Sequence, residues 1–287
     1  MCELMGICAN LEVNAQFSFK EILTRGGGTK PDIGDGWGMG LYTGACSTVY
    51  KEPKAAFDSK LAKKIGNMEF KSKIFVSHIR QMAGSRRSLE NTHPFERRLF
   101  DQDWLFAHNG KDGLGAYYNS HPKVRDCFKP KGETGSEKGF ALILNALKEK
   151  NATNIEVQRD IIKKLADDIA RVADFNIIMS NSEYLFCYYS GYNFLYYVER
   201  SYANDRNLIL KDADFEVNIS EMKVLGEKAI VVATEKLTYG EDWQPFKPHE
   251  LIIFKDGVLS QYPVENRYCI QTLLPTRIVT VPNFFAA

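Results

Sequence analysis

At 287 residues, with 37 basic side chains against 36 acidic ones, the chain is long enough for one large domain burying roughly three quarters of its unfolded surface. The near-cancelled charge excludes a global field able to hold nucleic acid or an anionic membrane surface. No window reaches the about 18 consecutive apolar residues of a spanning helix, and the opening Met-Cys-Glu-Leu lacks the regions of a secretory signal, so a cytoplasmic protein is expected.

Taken in chain order, Leu4–Ala9, Gly38–Tyr42 and Ile74–His78 are short apolar runs bounded by Gly, Pro or Asp and read as strands. Helical period follows at Phe140–Lys148 and more strongly at Val157–Val172, where Ile161, Leu165, Ile169 and Val172 fall on one face. Strands return at Phe175–Met179, Tyr184–Tyr189, Ala229–Ala233 and Leu251–Phe254. Lys255-Asp256-Gly257 predicts a tight turn joining Ile252–Phe254 to Val258–Tyr262. No repeat, linker or low-complexity tract divides the chain. The expectation is one α+β domain over residues 1–262, with an extension of unassigned structure over 263–287.

Several features invite a reading they do not support. Arg25-Gly26-Gly27-Gly28-Thr29-Lys30 lacks the Gly-Lys-Ser/Thr order of a phosphate loop, and Gly36-Trp37-Gly38-Met39-Gly40 runs into strand-like residues rather than a helix. Both clusters are expected to be loops that let backbone pass close to a neighbour. His78, His93 and His108 form no His-x-x-x-His pair and have no evident thiol or carboxylate partners, so they are read as satisfied, half-buried histidines and no metal is assigned. The six cysteines contain no CxxC pair, which suits reduced, mostly buried thiols.

Cys2 has the unusual address. Removal of Met1 would leave one residue carrying a thiol and an α-amine. The amine's reference pKa of about 7.7–8.0 against about 8.5 for the thiol makes it a matched base near neutral pH. A cysteine after Met1 is ordinarily only a residue, so the argument rests on its company. His78-Ile79-Arg80, Asn91-Thr92-His93-Pro94-Phe95, Phe106-Ala107-His108-Asn109-Gly110 and Gly132-Glu133-Thr134-Gly135-Ser136-Glu137 follow in order.

With Cys2-Glu3-Leu4-Met5-Gly6, Arg25-Gly26-Gly27-Gly28 and Asp35-Gly36-Trp37-Gly38, these blocks resemble the class II glutamine amidotransferases, nearest the free-standing bacterial type. The resemblance runs through residues 2 to about 140, and more loosely to Trp243. It implies a four-layer αββα sandwich of two antiparallel sheets, the N-terminal-nucleophile hydrolase fold. It also implies that Cys2 attacks a side-chain amide, that the Asn109 amide and Gly110 N–H hold the oxyanion, and that Arg80 grips the substrate α-carboxylate. Thr92, His93 and His108 would shape the substrate pocket, and no cofactor is implied. Read alone, Asn109-Gly110 is a type I′ turn and Arg80 a strand-end surface ion pair.

One position departs from the family block. Where it normally reads Thr-Asp-Ser-Glu and the aspartate receives the substrate α-ammonium, this chain has Gly135. Glycine supplies no charge, and loss of an ionic partner in a desolvated site costs several kcal/mol. A weakened enzyme, a substrate without a free amine, and a residue altered in this sequence are the competing explanations. Glu133 and Glu137 flank the gap; in an extended segment both share Gly135's face but sit further along it, and Gly135 and Glu137 are grouped with the substrate-binding candidates.

The leading expectation is an amidohydrolase or amidotransferase acting on a γ-glutamyl amide, either alone, as a homo-oligomer, or docked on a synthase subunit. The alternatives are a regulatory or binding module that kept the fold, and another N-terminal-nucleophile hydrolase acting on penicillin-like or bile-salt amides. The last shares the Cys2 chemistry but leaves Arg80 and Asn109-Gly110 without a purpose.

Overall fold

The computed structural model describes residues 2–28, 30, 34–81, 84–110, 113–121, 127–201, 209–211, 216–218 and 226–260. The N-terminal half runs β1 (Glu3–Asn14), α1 (Gln16–Arg25), β2 (Gly36–Thr43), β3 (Cys46–Glu52), α2 (Lys60–Gly66), β4 (Lys71–Arg80), β5 (Phe95–Leu99), β6 (Gln102–Asn109) and α3 (Leu114–Ser120). There follow α4 (Gly135–Glu149), α5 (Ile155–Ala170), β7 (Asn176–Ser180), β8 (Leu185–Tyr189), β9 (Tyr196–Ser201), β10 (Ile209–Lys211), β11 (Glu216–Asn218), β12 (Lys228–Ala233), β13 (Gln244–Pro245), β14 (Glu250–Lys255) and β15 (Val258–Leu259).

Seven strands form one sheet in the order β13-β9-β12-β1-β4-β2-β3 and six form a second, β15-β14-β8-β7-β6-β5; β10 and β11 pair separately. The pairings are antiparallel. Strand alternation explains how the layers stack. In β1, Leu4 and Cys8 join a core with Leu105, Ala107, Ile178 and Leu185 of the second sheet, while Met5 and Ile7 pack outward against Phe19, Ile22 and Ile65 of α1 and α2. The second sheet's outer residues, Trp104, Phe106, Ile177 and Met179, meet Phe140, Ile143, Leu144 and Ile162 of α4 and α5. The result is the expected αββα sandwich.

Glycines 38 and 40 lie in β2, not in a loop. They alternate with Trp37, Met39 and Leu41, which face the α1–α2 layer. A Cβ at Gly38 would stand 2.1 Å from the His93 carbonyl oxygen, and one at Gly40 would stand 2.5 Å from Leu105 Cδ1. The bare face of β2 therefore lets the second sheet and the His93-Pro94 segment press close. Lys51 Nζ pins that segment by donating to the carbonyls of Thr92, 2.6 Å, and Pro94, 3.3 Å.

Helix α5 begins and ends two residues before the periodic stretch predicted for it. Its buried row is Ile155, Gln158, Ile162, Ala166 and Ile169, whereas Val172 lies beyond the helix and is exposed. The turn at Asp256-Gly257 has positive φ at both residues, +48° and +72°, and Lys255 pairs with Val258, as a two-residue hairpin requires. Of the five described cysteines, Cys8 and Cys187 are buried but Cys46 and Cys127 are exposed, which corrects the expectation of mostly buried thiols. The boundary expected at residue 262 lies outside the described residues.

Candidate active site

The same alternation that builds the core delivers the site. On the seam-facing register, β1 carries Leu4 and Cys8, β4 carries Ile74 and Val76, and β6 carries Leu105 and Ala107. Extending each by steps of two reaches Cys2, Arg80 and Asn109, all at one edge of the sandwich. Glu3 pairs with Ile79, so Cys2 comes opposite Arg80. Asn109 Nδ2 donates to the Cys2 carbonyl oxygen at 2.7 Å, joining the two sheets at the nucleophile.

A cavity of about 330 Å³ opens here, lined by Cys2, Arg80, Gln81, Gly84, Ser85, His93, His108, Gly110, Leu114 and the segment Glu133-Thr134-Gly135-Ser136. The Cys2 Sγ accepts the Gln81 N–H at 3.1 Å and lies 3.4 Å from the Gln81 carbonyl oxygen. Burial raises the thiol pKa, and the Gln81 N–H and the Arg80 charge offset only part of that effect. The resting group is therefore a thiol that needs a base.

Arg80 is 3% exposed. Its Nη2 donates to Ser85 Oγ at 2.7 Å and to the Arg86 carbonyl at 3.1 Å, while its Nη1 is buried without a partner. Arg80 lines the cavity, and a buried guanidinium with an unused donor keeps capacity for an anion, which is incompatible with a surface ion pair.

The three histidines are buried, not half-buried. His108 is satisfied, with Nδ1 2.8 Å from Ser136 Oγ and Nε2 3.1 Å from the Asp174 carbonyl. The His78 and His93 rings lie 4.1 Å apart between centroids, tilted by 39°, and neither ring has a hydrogen-bonded nitrogen. Burial, reinforced by neighbouring charge, holds His78 down to about 3 and His93 well below the ordinary imidazole value; burial brings His108 to about 4. All three are neutral at pH 7. Among the described residues no group of three His, Cys, Asp or Glu side chains converges as a metal site would require.

Asn109-Gly110 is not a type I′ turn, because neither residue has positive φ. Asn109 ends β6 and Gly110 is pressed against the next segment, where a Cβ would stand 2.0 Å from the Asp174 carbonyl oxygen. Only glycine fits there.

Three expectations around residues 92–137 need correction. Thr92 is fully buried and does not line the cavity; its hydroxyl donates to the Ser88 carbonyl at 2.8 Å. The segment after Thr134 is the start of α4, not an extended run. Thr134 caps the helix by accepting the Glu137 N–H, and Gly135 is the first helical residue, with no left-handed backbone angle. Helical geometry turns Glu137 away from the cavity. The residue is 1% exposed, and its carboxylate accepts the N–H groups of Lys131 and Gly132 at 2.9 and 2.6 Å and pairs with Arg97. Thr134-x-x-Glu137 has the spacing of a helix capping box, the signal by which a structural role for Glu137 was readable. Glu133 lines the cavity instead, and Gln81 and Ser85 are further lining residues that no motif marks.

Two antiparallel sheets stacked between helices, with a cysteine at position two on the seam, define the N-terminal-nucleophile hydrolase fold. Within that class, the model of the class-II glutamine amidotransferases matches residues 1–273, and the chain belongs to that family. It is 35% identical over 257 residues to the protein named "Putative glutamine amidotransferase YafJ" of Escherichia coli strain K12, covering 88% of this chain and 97% of that one. A crystal structure titled as a "predicted glutamine amidotransferase" from Pseudomonas aeruginosa PA01 superposes with a TM-score of 0.64 at 28% identity, over 90% of this chain and 99% of that one. Glutamine phosphoribosylpyrophosphate amidotransferase from B. subtilis shares the fold at a TM-score of 0.58 and 17% identity, over 90% of this chain and 48% of that one. No helix among the described residues is long and apolar enough to cross a membrane.

Proposed function

We propose that this protein cleaves a γ-glutamyl amide, glutamine or a γ-glutamyl compound, through a γ-glutamyl thioester on Cys2, releasing ammonia or an amine. The observation that carries the reading is that Cys2 and Arg80, whose buried Nη1 has no partner, line one cavity. Arg80 binds the substrate carboxylate, and the thiol addresses the amide at the far end. His108 has both ring nitrogens engaged, and burial strips His93 of proton affinity. Once Met1 is removed, the Cys2 α-amine is the base best matched to the thiol.

The thiolate attacks the amide carbon, and the oxyanion is received by the Gly110 N–H and by Asn109 Nδ2, which leaves the Cys2 carbonyl to do so. The tetrahedral species collapses with the proton delivered to the departing nitrogen. Water then hydrolyses the thioester, the α-amine again taking the proton. The chemistry needs only protein groups, and a cytoplasmic location and a synthase subunit as recipient of the ammonia belong to the same reading.

The test is ammonia release together with labelling by a diazoketone analogue of glutamine. Both should be present in protein whose intact mass shows loss of Met1, and both absent in folded Cys2→Ala. Equal labelling of the two proteins would defeat the proposal. Gly135 is the observation favouring a binding module that kept the fold; such a module would bind glutamine without releasing ammonia.

A further inference from the structure

We infer that Glu133 supplies the carboxylate that receives the substrate α-ammonium in place of the side chain missing at Gly135, with Asn91 as its positioning residue. The inference rests on the amino-acid substrate proposed above. Among the described residues lining the cavity, Glu133 is the one carboxylate. Glu137, the other acidic residue of the segment, is buried and saturated by Arg97 and two backbone N–H groups.

Glu133 is held in a built arrangement. Its Oε1 accepts the Arg86 N–H at 2.9 Å, Arg86 Nε at 3.3 Å and Asn91 Nδ2 at 3.3 Å. Asn91, 2% exposed, also accepts the Glu133 N–H at 2.9 Å through Oδ1, so one amide fixes both the backbone and the carboxylate of Glu133. Oε2 takes no hydrogen bond from a described residue. The Arg86 side chain is 86% exposed, so solvent screens that ion pair and leaves most of the carboxylate's field available to a ligand.

Glu133 and Arg80 are linked through one residue. Arg86 gives its N–H to Glu133 and its carbonyl to Arg80 Nη2, so the cation for a carboxylate and the anion for an ammonium are tied to opposite ends of one residue. The helix geometry excludes Gly135 itself as the amine's resting place. Gly135 and Ser136 are the first residues of α4, and the one acidic residue of its first turn, Glu137, is engaged elsewhere, so the positive dipole end disfavours an ammonium there. Repulsion there and attraction at Glu133 place the amine on the Glu133 side of the cavity.

Equilibrium binding tests this without turnover. In Cys2→Ala protein, calorimetry should show L-glutamine binding about 10- to 100-fold tighter than glutaramate, which has the same amide and carboxylate but no amine. Glu133→Gln, which retains an oxygen for Asn91 and Arg86, should reduce glutamine affinity to that of glutaramate and leave glutaramate within about twofold. Asn91→Ala should lower the preference for glutamine in the same sense by a smaller factor. The inference is overturned if the parent does not prefer glutamine, if it binds neither compound, if Glu133→Gln weakens both equally, or if that substitution changes neither. A melting curve on each variant separates a lost contact from a lost fold. Failure of the thioester chemistry appears separately, as absent Cys2 labelling with this binding pattern intact.

Discussion

Substituting Gly135 by aspartate probes the helix start and the amine site together. Gly135 is the first residue of α4, its backbone is helical, and it lines the cavity. Aspartate removes part of glycine's entropic handicap in a helix and adds a carboxylate at the dipole's positive end; together these contribute about 1 kcal/mol. For a domain of this order of size that raises Tm by roughly 2–4 °C. The effect on activity depends on Glu133. In the wild type, where Glu133 already takes the ammonium, Gly135→Asp should change kcat/KM for glutamine by no more than about threefold, because a second carboxylate repels the first. In a Glu133→Gln background the new carboxylate is the sole partner, and restoring a charged hydrogen bond of about 1.5–3 kcal/mol should recover roughly 10- to 100-fold in kcat/KM. The assay is ammonia release across the four proteins of the cycle, with differential scanning calorimetry on each. A lower Tm would refute the helix-start argument, and no recovery in the Glu133→Gln background would refute the ammonium argument.

Asn109→Ala should lower kcat by about 10²–10³ while changing KM little, since an oxyanion donor acts as charge develops; loss of its bond to the Cys2 carbonyl should cost about 1 kcal/mol of stability in urea melts. Arg80→Lys should chiefly raise KM, because an ammonium cannot reproduce both the contacts to Ser85 and Arg86 and the free Nη1 donor; an effect confined to kcat would count against carboxylate binding. Stability should fall on acidification. His78 and His108 are held at about 3 and about 4 when folded and titrate near 6.5 when unfolded, so below pH 6.5 the unfolded chain binds protons the native state refuses. Each should lower stability by roughly 1.4 kcal/mol per pH unit from about 6.5 down to its folded value, and a stability flat between pH 7 and pH 5 would contradict this. Cys46 and Cys127 are exposed, so a general thiol reagent should still modify Cys2→Ala; only an analogue held by Arg80 separates the nucleophile from these thiols.

Much of the site was legible in the chain because it sits on regular elements. The strands around Leu4, Ile74 and Ala229 and the helices around Phe140 and Ile161 follow from periodicity, and Asp256-Gly257 carries its own turn chemistry. Cys2 was legible from its address together with the blocks that follow it, since position two is where a thiol and a terminal amine can coincide but only that company makes the coincidence telling. Alternation along β1 and β4 then puts Cys2 and Arg80 on one face once the sheet order is known, and that order is not local information. Gly38 and Gly40 show the same limit: their spacing is visible in the chain, but that they admit His93 and Leu105 depends on a second sheet packing against the first. The sharpest division falls within six residues. Thr134-x-x-Glu137 has the capping-box spacing that the extended reading of this segment passed over, whereas which of Glu133 and Glu137 faces the cavity was decided by where α4 begins, by Arg97 drawing Glu137 into the core, and by Asn91, 42 residues earlier in the chain, holding Glu133 at the rim. Local spacing specifies which residues can share a face; which face becomes a pocket depends on what folds against it.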